Sequence, residues 1–127
     1  MVILLKIILS IIIGQTLFFK FSGAAESIYI FTQLGVEPWG RIGLGIIELI
    51  AILLLWFPHT LKYGIVLVFG LMLGAMASHL FLLGIVVLND GGKLFILAVV
   101  SFLAALLLAY YKREEFKLLI SNFVVKR

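Results

Sequence analysis

The chain alternates long apolar runs with short polar breaks, and one shorter amphipathic stretch follows the first run. Residues 2–21 are Ile, Leu, Phe and small residues, with Lys6 and Lys20 close enough to either end for their stems to snorkel, which predicts a first spanning helix. The small residues Ser22, Gly23, Ala24 and Ala25 that follow also fit the end of a secretory leader. Residues 24–35 are too few to cross; Ile28, Phe31 and Leu34 are set among Glu26, Ser27 and Gln33, and Gly35 with Pro38 makes a stop, so a short interfacial helix is expected. A second span is predicted over residues 39–57, interrupted by Glu48 and ended by Pro58 in a tight turn through His59 and Thr60.

Residues 62–88 form the third span, with no Asp, Glu, Lys or Arg after Lys62. At ~1.5 Å per residue it approaches ~40 Å, longer than the bilayer core, so tilting or fraying at Gly84 is expected. Asn89, Asp90, Gly91 and Gly92 make a turn, and residues 93–111 form the fourth run, closed by Tyr110, Tyr111, Lys112 and Arg113. In the tail, residues 112–127, Phe116, Leu119, Ile120 and Phe123 share one helical face, which suits a membrane surface. The fold class expected is an all-α membrane protein: a bundle of four transmembrane helices, with a short interfacial helix between the first two and a single domain over residues 1–127.

Composition agrees with the pattern. With 65% hydrophobic and 13% charged residues and a mean hydropathy of +1.31 over 127 residues, too little polar surface exists to cover a water-soluble core, so the lipid bilayer is the expected solvent and partner. Cysteine is absent, which removes thiol nucleophiles, disulfide exchange, thiolate metal sites and covalent haem attachment. The net charge of +4 does not point to nucleic acid, because the basic residues gather at membrane borders. Lys6, Lys62, Lys112, Arg113, Lys117, Lys126 and Arg127 fall on one side and Lys20, Arg41 and Lys93 on the other, which predicts that both termini are cytoplasmic. Trp39, Trp56, Tyr63, Tyr110 and Tyr111 fall at the borders as anchors.

Ionisable groups inside spans are costly to keep, so each is a candidate for function. Glu48 is the deepest, nine residues before Phe57, or ~13 Å of rise, where a carboxyl has to be protonated or paired. Arg41 lies two turns earlier on nearly the same face, with Gly45 between them leaving room for a backbone or a ligand. Lys20, Arg41, Glu26, Glu37 and His79 are expected toward one border, which predicts a polar pocket; structural ion pairs and snorkelling are the competing use. His79 shares a face with Val68, Met72, Ala75 and Met76, and this suits a helix contact as well as an apolar ligand wall. Gly14 and Gln15 suggest close packing and an interhelical hydrogen bond. Gly70, Gly74, Ala77 and Ser78 form a small-residue face that predicts packing within the bundle, with a homodimer as the alternative.

No catalytic or metal-binding motif is present: the two histidines fall on different sides, no ligand pair stands at i,i+4, and no glycine-rich loop follows a strand. The chain is therefore not expected to be an enzyme by itself.

Phe19-Lys20-Phe21-Ser22-Gly23, Leu34-Gly35-Val36-Glu37-Pro38-Trp39, Gly45-Ile46-Ile47-Glu48-Leu49 and Gly74-Ala75-Met76-Ala77-Ser78-His79-Leu80 occur in an order that resembles the DoxX-like family of small four-helix membrane proteins, over roughly residues 5–110. The resemblance implies a bacterial inner membrane and matching polar positions at Lys20, Glu48 and His79. It also implies a link to membrane redox complexes, since the broader superfamily includes a subunit similar to those of thiosulfate:quinone oxidoreductases. Three functions follow as expectations. One is an accessory subunit of a redox system that holds a quinone or lipid, with electron donors in a partner subunit. Another is a small proton-linked transporter or lipid-handling permease. A structural assembly factor without a ligand is the third.

Overall fold

The computed structural model describes residues 1–125, so Lys126 and Arg127, which entered the charge count, lie outside the described residues. Six α-helices follow one another: α1 (Val2–Ser22), α2 (Ala25–Gln33), α3 (Trp39–Leu55), α4 (Leu61–Ser78), α5 (Lys93–Tyr111) and α6 (Arg113–Val125). A π-helical turn over His79–Leu83 continues α4. Helices are what lipid demands, because the bilayer offers backbone N–H and C=O groups no other partners.

Among the described residues three helices are long and apolar enough to cross a membrane: α1, α4 with its π-helical continuation, and α5. Helix α3 has 17 residues and carries Arg41 and Glu48. At ~1.5 Å per residue it spans ~25 Å, somewhat less than a bilayer core.

Helix α1 packs against α3 and α5, and α4 packs against the same two, so the four longest helices surround a common core. Leu5, Leu9 and Ile13 of α1 meet Leu55 of α3, Ile65 and Val68 of α4 and Ala105 and Leu108 of α5 there. Each helix buries only a narrow stripe. Ile3, Ile11 and Phe18 on α1, Leu53 on α3, Val66 on α4 and Leu103 on α5 are exposed, and such apolar outer faces suit a lipid solvent.

Helix α1 ends at Gly23, whose φ of 71° is left-handed and lets its N–H reach the Phe19 carbonyl. Helix α2 then lies across one end of the bundle, touching α1, α3 and the π-helical turn, and buries Ser27 and Phe31 one turn apart. At the opposite end the Thr60 hydroxyl donates to the Leu54 carbonyl at 2.9 Å and closes the turn between α3 and α4. The two helices approach closely at Gly64, where a Cβ would stand 2.9 Å from the Leu55 backbone nitrogen.

Two expectations need revision. The third span is shorter than the expected 62–88, since helix ends at Leu83, while the break falls where fraying is expected, at Gly84, whose φ of 79° turns the chain out of the helix. The small-residue face of α4 does not pack within the bundle. A Cβ on Gly70 or Gly74 would meet nothing within 4 Å, and both line a large cavity. The sequence shows which residues share a face but not which way the core rotates that face.

Candidate functional site

Burial places polar groups along one line of α3: Arg41, Gly45 and Glu48 all face inward, as their spacing predicts. Gly45 admits the Phe21 ring, since a Cβ would come within 2.9 Å of it. Lys20 lies in the last turn of α1, and its Nζ donates to Glu48 Oε2 at 3.1 Å, with side-chain exposures of 13% and 6%. Thr16, one turn before Lys20, has its hydroxyl 3.4 Å from the same oxygen and 2.7 Å from the Ile13 carbonyl. A hydroxyl has one proton, so the shorter contact holds it and Lys20 is the principal partner of Glu48.

Arg41 has a different task. Its Nε donates to both carboxylate oxygens of Glu37 at 2.9 and 3.0 Å, and its Nη1 donates to the Lys20 carbonyl. That carbonyl is one of the groups a helix end leaves without an internal partner. Arg41 therefore ties the start of α3 to the end of α1, holding Lys20 opposite Glu48, and it lines neither cavity.

A cavity of 920 Å³ lies against this cluster. Thr16, Lys20, Glu26, Glu48, Ser78, His79 and Ser101 are among its lining residues, and the rest of the wall is mainly Leu, Ile, Phe and Ala. The volume is at the upper end of the range for small-molecule sites, ~300–1,000 Å³. Lys20, Glu48 and His79 thus share one wall system, but His79 makes no hydrogen bond with Glu48. Its Nδ1 is 3.0 Å from the Gly84 carbonyl and its ring packs edge-on to Phe95 at 5.7 Å. A carbonyl can only accept, so Nδ1 carries the proton and the hydrogen bond ties His79 to the turn after the π-helix. Among the described residues Glu26 lines the cavity without an ion pair, and Gln15 stands exposed on a smaller adjoining pocket, making no interhelical hydrogen bond.

Three further polar residues take part in the structure around the site. Thr16 was detectable from its i,i−4 relation to Lys20. Ser101 was detectable as a hydroxyl in an apolar span; it is fully buried on α5 and its Oγ has no partner among the described residues. Asp90 had only its turn composition as a signal. Its Oδ1 accepts from the Val87 and Gly92 N–H groups at 3.0 and 2.8 Å, and Oδ2 from Leu94 N–H at 3.3 Å. Desolvation works against its charge, but these donors, helped by His79, hold the carboxyl below its ordinary value of 3.8.

A carboxylate with a lowered folded value stabilises the fold above its unfolded value, and the contribution is lost as pH falls through the folded one. Asp90→Ala should therefore speed amide exchange at Val87, Gly92 and Leu94 about tenfold, the size of one net hydrogen bond. The difference from wild type should shrink in acid; equal exchange at neutral pH would show that Asp90 does not hold this turn.

The sequence model of the DoxX-like family matches residues 4–86. This chain belongs to the DoxX-like family. It is accordingly a helical membrane protein, and the lipid bilayer is its surroundings. The match takes in Lys20, Glu48 and His79 and ends before α5, so Ser101 of this DoxX-like protein lies beyond it. No curated protein and no solved structure matches the chain.

Proposed function

We propose that this DoxX-like protein holds a quinone- or lipid-class molecule inside the membrane, as an accessory subunit of a redox system whose electron carriers belong to a partner. The supporting observation is the 920 Å³ cavity, apolar over most of its wall, with the Lys20–Glu48 pair on one side of it. Apolar volume with few convergent polar groups is what an amphipathic ligand needs. In this reading α3 is a fourth span, the α2 end faces the outer leaflet of a bacterial inner membrane, and both termini are cytoplasmic. The distribution of Lys and Arg supports that orientation.

The pair couples ligand to charge. A ligand oxygen that approaches Lys20 competes with Glu48 for the same ammonium protons, so occupancy and the proton on Glu48 become linked. His79 sits in the same wall with Nδ1 committed to Gly84, which leaves Nε2 for exchange. With no cysteine in the chain, thiol-borne sulfur transfer would fall to the partner in this reading.

Gentle solubilisation followed by native mass spectrometry tests this. The wild type should carry an apolar molecule, and Glu48→Gln should retain about tenfold less of it, because Lys20 without its counter-charge swings toward water and leaves the cavity. Ala98→Phe, which fills the cavity wall, should also empty it. A wild type that is empty in every lipid environment, or Glu48-dependent solute uptake by sealed vesicles, would overturn the accessory-subunit reading.

A further inference from the structure

The main cavity has a polar mouth. A second cavity of 290 Å³ lies between the α2-capped end of α1 and the start of α5, and it shares Thr16, Phe19, Glu26, Leu94 and Leu97 with the first. The two are therefore contiguous. The smaller one adds Gln15 and Lys93 to the lining.

Lys93 and Glu26 carry opposite charges on one small pocket yet form no ion pair, with each other or with any described residue. Asp90, the nearest acid in sequence to Lys93, has its carboxylate engaged by backbone N–H groups. Gln15 is an exposed amide with no hydrogen bond among the described residues, on a helix whose other exposed residues in this stretch, Ile11, Phe18 and Phe19, are apolar. All three side chains are exposed on this pocket and none is tied to another described side chain, so each is free to meet a polar group there.

We propose that this mouth binds the headgroup of a phosphoethanolamine lipid whose acyl chain enters the main cavity. The inference rests on the ligand-holding reading above and narrows its ligand to a zwitterionic lipid. The charge pattern selects among headgroups. A phosphate meets Lys93, and a primary ammonium donates hydrogen bonds to Glu26 and to the Gln15 carbonyl oxygen. A purely anionic headgroup is repelled by Glu26, a neutral head leaves both charges unpaired, and a choline headgroup has no N–H to donate.

The full chain, reconstituted in vesicles of equal parts phosphatidylethanolamine, phosphatidylcholine and phosphatidylglycerol, is extracted mildly and its bound lipid identified by native mass spectrometry. The wild type should hold phosphatidylethanolamine about fivefold over the other two. Glu26→Gln should lose that preference in favour of phosphatidylglycerol, and Lys93→Gln should lower all phospholipid retention about tenfold. Ala98→Phe should displace the lipid whatever its headgroup. Retained lipid that mirrors the bulk mixture, or a preference unchanged in both charge variants, overturns the headgroup site and leaves the cavity reading standing. Retention unaffected by Ala98→Phe places the acyl chain elsewhere and overturns the proposal too. An empty wild-type protein removes both readings.

Discussion

Replacing Lys20 with methionine is expected to cost about 3 kcal/mol of stability, because it strands a buried carboxylate. Methionine keeps much of the apolar stem of lysine, so packing changes little and the loss reports the charge. Arg41, the cation on the same helix as Glu48, is not free to substitute: it is held by both oxygens of Glu37 and by the Lys20 carbonyl. The Thr16 hydroxyl has its shorter contact with Ile13, at 2.7 Å against 3.4 Å to Glu48. The double variant Lys20→Met/Glu48→Leu should recover most of the loss, since a buried pair replaced by apolar groups of similar size is often neutral. Unfolding in mixed SDS micelles, followed by circular dichroism, gives both numbers. A single variant as stable as wild type would mean that Glu48 has another partner.

The second large effect is expected at Gly64, and it has an internal control on the same helix. A Cβ there would stand 2.9 Å from the Leu55 nitrogen and 3.1 Å from the Leu54 carbonyl carbon. Backbone atoms cannot rotate away, so Gly64→Ala must separate α3 from α4 just where their turn is shortest. A loss of about 2 kcal/mol is the usual cost of such overpacking. Gly70→Ala, two turns on, meets nothing within 4 Å. It should be neutral or stabilise α4 by up to about 1 kcal/mol, because glycine is a poor helix former. Thermal unfolding of the two variants in one detergent compares them directly. Equal effects would mean that the close approach at Gly64 is not maintained.

The ion-pair arrangement shows how far residue spacing reaches. That Arg41, Gly45 and Glu48 share a buried face follows from helical periodicity alone, and so does the position of Lys20 near the end of α1. Spacing could not decide which cation takes Glu48. Arg41 is on the same helix but bonds Glu37 one turn away, whereas Lys20 arrives from another helix at 3.1 Å. Nor could it show that His79 bonds the Gly84 carbonyl, because that contact depends on the π-helical turn and the positive φ that follows. The spacing of Gly70 and Gly74 groups them on one face but does not say what that face meets, which is a cavity and not a neighbouring helix of the bundle. A helical wheel orders residues around an axis without orienting that axis in the bundle.

The amino-acid sequence by itself determined that this is a helical protein of lipid surroundings with rare, costly charges at Lys20, Arg41 and Glu48. Hydropathy and helical period act locally, and a bilayer leaves the backbone almost no alternative to helix. The tertiary structure alone decided that Lys20 and Glu48 meet, that the small face of α4 borders a cavity, and that Lys93 and Glu26 line one pocket. Those outcomes depend on the rotation and axial offset of packed helices, which arise from contacts between residues far apart in the chain.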